Sequence, residues 1–175
     1  MKPTMFELAN QSAKLCNFNA RSEVHGDDRE PAADLKLQMS ADNGILAWFA
    51  PSLKSALYRP ADEGDDLVAQ AFGETNLPCL KFPKMSGFGW DLQLVGYTLR
   101  IHYGTGGKSD IVIGDAIVDH FRIEPNEGGT VQLTFRVRCK PDEKQAGRIY
   151  TLQPRELELT LPPPAEDQMD MEKAA

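Results

Sequence analysis

Alternation of apolar and polar side chains dominates the chain and predicts a protein built mainly of β-strands. Residues 33–40 alternate in this way, and residues 131–137 do so most regularly. A period of two is typical of strands that bury one face. The same pattern recurs at residues 14–20, 90–94, 97–103, 111–113, 117–123 and 157–161. We therefore predict a mainly β fold of about eight strands, arranged as an antiparallel β-sandwich or barrel.

One stretch, residues 42–58, follows a helical period instead. Apolar side chains recur there every three or four positions, at Ile45, Leu46, Phe49, Leu53 and Leu57. Asp42 or Asn43 can cap a first short helix, and Pro51 is expected to start a second at its first helical position. The polar run 23–31 predicts a loop between two strands. We therefore expect one or two short helices.

Three consecutive prolines at 162–164 mark the end of the predicted fold, because proline cannot continue a hydrogen-bonded strand ladder. We predict a single β-rich domain over residues 1–161. Residues 162–175 are expected to form a proline stop and a disordered acidic tail. The tail carries Glu166, Asp167, Asp170 and Glu172 against Lys173.

Net charge narrows the function classes. The chain of 175 residues has 19 Lys and Arg against 26 Asp and Glu, a formal charge of −7. This balance argues against a strongly basic duplex binder or a polybasic membrane binder. Residues 95–140 carry six basic and five acidic side chains, or +1, and the rest carries 13 against 21, or −8. The excess acid therefore lies outside this region, much of it at 60–66 and in the tail.

Three widely spaced cysteines, Cys16, Cys79 and Cys139, lie in apolar surroundings without a C-x-x-C pair. We expect free thiols, buried or half-buried, as in a reducing cytosol. We see no apolar signal-peptide segment near the N-terminus and no run of about 20 apolar residues for a membrane span. These features predict a cytoplasmic protein.

Basic side chains occupy the polar positions of three predicted strands. Arg100 and His102, His120 and Arg122, and Arg136 and Arg138 form these pairs. If the strands share a sheet, they make a basic strip that can track a single-stranded nucleic acid backbone. The predicted binding residues are Arg100, His102, Lys108, Arg122, Arg136 and Arg138, with Trp90 as a stacking residue. Lys108 belongs to the glycine-rich turn 104–109, and Trp90 can equally be a core residue at a strand start. Asp119 is expected to face away from His120.

Other candidate chemistry is weaker. The turn G-T-G-G-K-S at 104–109 lacks the first P-loop glycine, since His102 occupies that position. By composition, Glu23, His25, Asp27 and Asp28 can hold a divalent metal, but an ordinary solvated loop explains them equally well. No nucleophile with its base can be argued from the sequence. We predict no cofactor and no enzymatic activity.

Several segments resemble a family of small uncharacterised tailed-phage and prophage proteins. They are residues 24–28 (VHGDD), 96–113 (GYTLRIHYGTGGKSDIVI), 118–122 (VDHFR) and 127–133 (EGGTVQL). The resemblance covers most of residues 14–161. It implies a bacterial cytoplasm and a role in the early DNA or host-takeover programme of a phage, and it assigns no functional residue.

Three functions remain open at this point. The first is a non-enzymatic accessory protein that binds single-stranded DNA, favoured by the basic strip and by a tail that resembles those of single-stranded-DNA-binding proteins in charge. The second is a protein inhibitor or adaptor that acts on a host defence or nucleic-acid enzyme, favoured by the net charge and the acidic residues 60–66. The third is a virion structural β-module. The oligomeric state is open, a homodimer included.

Overall fold

The structure, a computed structural model, describes residues 5–62, 77–105 and 107–165. These residues form nine strands: β1 Leu8–His25, β2 Asp28–Asp42, β3 Tyr58–Arg59, β4 Cys79–Leu80, β5 Phe88–Trp90, β6 Leu94–His102, β7 Ile111–Asn126, β8 Thr130–Cys139 and β9 Glu156–Leu161. They also form α1 Leu53–Leu57, α2 Glu143–Thr151 and two 3₁₀ helices, Asn43–Trp48 and Gly107–Ser109.

Six strands close into an antiparallel barrel. Their order is β7-β6-β9-β1-β2-β8, and a further pairing between β7 and β8 completes the ring. β5 adds to β7 outside the ring, with Phe88 opposite Ile123 and Trp90 opposite Phe121. β3 and β4 form a separate two-stranded sheet. The predicted mainly β, antiparallel fold is confirmed, and it is a barrel rather than a sandwich.

The strand β7 unites two predicted strands because its alternation shifts twice. Buried positions fall on Ile111 and Ile113, then on Ala116 and Val118, then on Phe121 and Ile123. Asp115 and His120 lie at the two shifts, with φ of +51° and +52°. A residue in this conformation adds one position to a strand, as in a β-bulge. β7 thereby returns apolar side chains to the buried face in each of its three stretches.

The predicted loop at 23–31 is wrong, because β1 and β2 continue through it as a hairpin. The pairing runs from Lys14 opposite Gln38 to His25 opposite Asp28. The turn needs only two residues, and Gly26 supplies the first with φ of +66°. The end of the hairpin is exposed on both faces, so its polar composition mimics that of a loop.

The helical segment forms two short helices, as predicted, although Pro51 lies before α1 and Ser52 is its N-cap. The first is a 3₁₀ helix, in which the Asp42 carboxylate accepts a hydrogen bond from Gly44 N at 2.8 Å. α2 was not predicted from the sequence. Asp142 and Gln145 cap it reciprocally, with each side chain bound to the other residue's backbone N–H.

The chain comprises two compact units. Unit 1 contains the described parts of Ser40–Trp90 and Phe121–Leu133, and Leu46, Tyr58 and Val131 are fully buried in it.

Unit 2 contains Phe6–Met39, Asp91–His120 and the chain from Thr134 onward. Its buried side chains include Leu35, Leu99, Phe135 and Leu159. The prediction of one domain over 1–161 stays a prediction. Of the predicted tail, 166–175 lie outside the described residues, as do 63–66 of the acidic segment.

The three cysteines are free thiols, as expected, with Cys16 half-buried and Cys79 and Cys139 buried. In the described part of the chain, no helix has the length and apolar character needed to cross a membrane.

Candidate nucleic-acid interface

The strands that carry the predicted basic residues do neighbour one another, since β7 pairs with both β6 and β8. On β8, Arg136 and Arg138 alternate with buried Phe135, Val137 and Cys139, as the pattern required. Within unit 2, however, the arginines face carboxylates that the sequence analysis did not assign to them.

Asp119 holds both arginines of β8. Its carboxylate accepts two hydrogen bonds from Arg136, at 2.8 and 2.9 Å, and lies 3.1 Å from Nη2 of Arg138. The Asp119 side chain is only 9% exposed. Burial by itself raises the pKa of Asp119, but the Arg136 hydrogen bonds and the charges of Arg136 and Arg138 outweigh it and lower the pKa below its ordinary value. Asp119 is therefore a buried, ionised carboxylate that binds both Arg136 and Arg138.

His120 joins the same group, which we call the Asp119 cluster (Asp119, His120, Arg136 and Arg138). Its Nε2 lies 3.0 Å from Nη2 of Arg136. The expectation that Asp119 and His120 point in opposite directions is wrong, because both side chains contact Arg136, and the positive φ of His120 interrupts the regular alternation of the strand. Nε of Arg138 is buried and has no hydrogen-bond partner among the described residues.

A second ion-pair group lies beside the cluster on β1 and β2. Arg21 contacts Glu23 and, at 3.1 Å, Asp34. The hydrogen bonds that Arg21 donates to Asp34 and, second, to Glu23 raise the pKa of Arg21 above its ordinary value, and the negative charge of Asp34 also raises the pKa of Arg136. The two groups together contain three arginines and three carboxylates, so their charges cancel. This part of the outer face is therefore close to neutral and is not a basic strip.

Arg100 and His102 share another carboxylate, Asp110, whose side chain is 5% exposed. Arg100 Nη1 lies 3.4 Å and His102 Nδ1 3.3 Å from it, while His102 Nε2 lies 3.1 Å from Thr160 Oγ1. Burial acts to raise the pKa of Asp110, but the Tyr103 backbone N–H and the His102 and Arg100 side chains lower it overall. These contacts join β6, β9 and the turn after β6.

The other predicted cations are more open. Lys108 is exposed within the 3₁₀ helix Gly107–Ser109, beside Gly106, which lies outside the described residues. In unit 1, Arg122 is 52% exposed on its side chain and lies 3.7 Å from Glu124. Trp90 is half-buried, with its ring 5.9 Å from that of Phe49. Trp90 therefore contributes to packing and still presents part of its surface.

Unit 1 also contains an exposed segment that the sequence analysis passed over in part, residues 81–90, here called the aromatic loop. Phe82 and Met85 are 57% and 42% exposed, and Lys81 and Lys84 flank Phe82 on either side. Phe88 and Trp90 follow as half-buried residues of β5, and no acidic residue occurs within the loop. The signal in the sequence is the run Lys-Phe-Pro-Lys-Met, in which two basic side chains are interspersed with apolar ones.

The aromatic loop is firmly held at its first residues. Lys81 N donates to Leu57 O at 2.9 Å, and Lys81 Nζ donates to Ser55 O at 2.6 Å. Met85 N donates to Phe82 O at 3.0 Å, which closes a turn with Pro83 at its second position. The exposure of Phe82 is thus a property of a hydrogen-bonded turn.

Of the candidate metal ligands, Glu23 lies 3.5 Å from Nε2 of His25, and Glu30, which was not in the predicted set, lies 3.7 Å from the same atom. Arg21 and Lys140 neutralise these carboxylates, with Lys140 Nζ 2.6 Å from Glu30. Within the described ranges, no group of three or more His, Cys, Asp or Glu side chains has the geometry to hold a metal ion.

A pocket of about 380 Å³ lies in unit 2. It is lined by Val112, Ile113, Gly114, Asp115, Lys140 and Gln145. None of the predicted binding residues contributes to it.

The comparisons with known proteins do not indicate a function, and the phage resemblance stays a prediction. No protein-family model, no curated protein and no solved structure matches the chain.

Proposed function

We propose that this protein is a non-enzymatic single-stranded-DNA-binding protein that contacts DNA mainly through the aromatic loop. The observation that carries the proposal is Phe82, which is 57% exposed between the exposed Lys81 and Lys84. Single-strand binders combine aromatic faces, on which bases stack, with cations that follow the backbone. The loop supplies both kinds of side chain within four residues.

β5 extends this surface within unit 1. Phe88 and Trp90 alternate with Gly89, which lies opposite Arg122 on β7. Arg122 is half-exposed, and the carboxylate of Glu124 lies 3.7 Å from it. This ion pair is longer and more exposed than the pair between Arg136 and Asp119, so Arg122 is easier to reach for a phosphate. Two lysines, one arginine and up to three aromatic rings therefore belong to the proposed contact surface.

The sheet arginines fit this role less well. If Arg136 or Arg138 turned to bind a phosphate, the buried carboxylate of Asp119 would lose one of its two paired cations. Leaving a buried charge unpaired costs several kcal/mol, which a phosphate contact at the surface does not return. We therefore assign these residues a positioning role in the barrel.

The salt dependence of DNA binding distinguishes the aromatic-loop surface from the basic strip as the site of contact. For single strands, the slope of log K against log salt is about −0.7 for each phosphate neutralised. Lys81, Lys84 and Arg122 together predict a slope of about −2. A basic strip of five or six cations would give a slope of about −4. Measuring anisotropy of a labelled 30-mer of dT between low and moderate salt gives this slope directly.

The direct test uses Phe82→Ala, with Val112→Ala as a matched control. Val112 is 41% exposed in unit 2, so both variants remove an exposed apolar side chain. We expect Phe82→Ala to weaken oligonucleotide binding by about fivefold or more, since stacking contributes about 1–3 kcal/mol per base. The control should bind like the wild type. Absence of binding to any 30–60-mer at low salt, or equal loss in both variants, would contradict the proposal.

Trp90 gives a second readout. Replacing Trp48 with Phe leaves Trp90 as the sole tryptophan of the chain. We expect its fluorescence to fall on addition of poly(dT), and to fall much less in a Phe82→Ala background. Fluorescence unchanged at saturating oligonucleotide would exclude β5 from the contact surface.

A protein partner is the second candidate function. Phe82 and Met85 are both exposed and are the first and last residues of one turn, and exposed aromatic and methionine side chains are typical anchors of protein interfaces. The formal charge of −7 favours a basic partner, such as a host nucleic-acid enzyme. One stoichiometric bacterial protein captured by the wild type and lost with Phe82→Ala, without any DNA binding, would favour this function.

The proposed location is the cytoplasm of a bacterial host. Three free thiols suit a reducing compartment, and single-stranded DNA is available there during replication of a phage.

A further inference from the structure

Within the described part of the chain, one edge of β1 has no strand paired to it toward the end of the β1–β2 hairpin. The first half of β1, from Leu8 to Lys14, pairs with β9. From Asn19 to His25, β1 pairs only with β2 among the described residues. Ala20, Ser22 and Val24 are exposed there, Val24 by 65%. An open edge of this length presents unpaired backbone groups and invites a further strand.

The register shows which backbone groups face the open edge. Ser22 lies opposite Pro31. Proline has no N–H, so this pair belongs to the positions that do not exchange ladder hydrogen bonds. Residues alternate along an antiparallel pair, so the N–H and C=O groups of Ala20, Ser22 and Val24 point away from β2.

We propose that two copies of this chain pair through residues 19–25 of β1, antiparallel about a two-fold axis at Ser22. In this register Ser22 faces the partner's Ser22, and Ala20 faces the partner's Val24. These are the positions whose backbone groups point outward, so each such pair can exchange two hydrogen bonds. The segment is therefore complementary to itself in hydrogen bonding, which a two-fold interface requires.

Charge supports the same register. Arg21 comes to lie opposite the partner's Glu23, and Glu23 opposite the partner's Arg21. Within one chain Glu23 lies directly opposite Glu30, and Arg21 and Lys140 are the cations paired with these two carboxylates. Within one chain Arg21 pairs with both Glu23 and Asp34. In the dimer, Arg21 of the partner subunit would give Glu23 a second cation. On the other face, the exposed Val24 would pack on the partner's Ala20.

The paired surface is small, so we expect a dimer of modest affinity, populated at high protein concentration. Residues Asn19–His25 all lie in unit 2, and the aromatic loop lies in unit 1. The inference does not depend on the proposed function, and Phe82→Ala should dimerise like the wild type.

A cysteine at the axis tests the register. In a Cys16→Ser background, Ser22→Cys should form a disulfide-linked dimer under mild oxidation, since residues paired through hydrogen bonds have Cα atoms about 5.5 Å apart. Ala20→Cys is the matched control, because its own copies would lie about 13 Å apart, four residues along the strand. Equal cross-linking of both variants, or none with Ser22→Cys, would overturn the proposal.

A proline tests the edge itself. Val24→Pro removes an outward N–H that the hairpin does not use, so the monomer should keep its thermal stability. We expect light scattering to show concentration-dependent dimerisation of the wild type and a monomer for Val24→Pro. A wild type that stays monomeric at millimolar concentration, or a folded Val24→Pro that still dimerises, refutes the inference.

Discussion

Replacing Asp119 with asparagine should destabilise the fold by about 2–3 kcal/mol at pH 7. The substitution keeps the shape of the side chain and removes the charge that holds Arg136 and Arg138. Removing one partner of a fully buried ion pair costs about 3–5 kcal/mol. The arginine side chains here are 27% and 32% exposed, so water recovers part of this cost. For a chain of this size the loss corresponds to a fall in Tm of about 5–10 °C.

The same substitution has a defined pH dependence. The pKa of Asp119 is lowered in the folded state from an ordinary value of 3.8. The unfolded chain therefore binds this proton more readily, and the stabilisation is complete above the ordinary pKa and lost as pH falls through the folded value. The difference in unfolding free energy between wild type and Asp119→Asn should be full at pH 7 and shrink steadily below pH 4.

Urea denaturation at several pH values measures this difference. Glu158→Gln is the control, since Glu158 is an exposed carboxylate on β9 and its replacement should change stability by less than about 0.5 kcal/mol. The reasoning about Asp119 fails if Asp119→Asn is equally harmless. It also fails if the destabilisation is the same at pH 3 as at pH 7.

Three further predictions concern buried or capping groups. In the native protein at pH 8, the half-buried Cys16 should react with a thiol reagent, whereas Cys139, whose pKa burial raises to about 12, should react only after unfolding. Asp142→Ala should lower stability by about 1 kcal/mol through loss of the α2 cap, and Asp142→Ser should retain most of it, as thermal unfolding can show. Burial raises the pKa of Tyr58 and Tyr97 to about 12, so ultraviolet titration should show two phenols that stay neutral at pH 11.

The alternation of side chains predicted the strands well but not their limits. β8 follows the period of two without interruption, and its prediction needed no correction. β7 was divided because Asp115 and His120 adopt positive φ, and neither residue type announces this in the sequence. Residues 23–31 resemble a loop because both faces of this end of the hairpin are exposed, so neither face carries a row of apolar side chains.

The candidate site was only half predictable. Alternation placed Arg136 and Arg138 outside the barrel, but their partner Asp119 lies 17 residues from Arg136 on another strand. Whether a basic side chain is available or already paired depends on the register between strands, which the period of two leaves open. The aromatic loop was underestimated for a different reason, since exposure of Phe82 depends on the turn that Phe82 and Met85 close around Pro83.

The position of β9 has a consequence for how the chain is made. β9 lies between β1 and β6, so the first strand of the barrel finds its second neighbour only when the last strand has been synthesised. Until then, the nascent chain exposes the β1 and β6 edges that β9 later covers, and long-range pairing of this kind is slow to form. Closure of the barrel during translation therefore has to wait for β9. A circular permutant that joins β9 directly ahead of β1 would remove that delay.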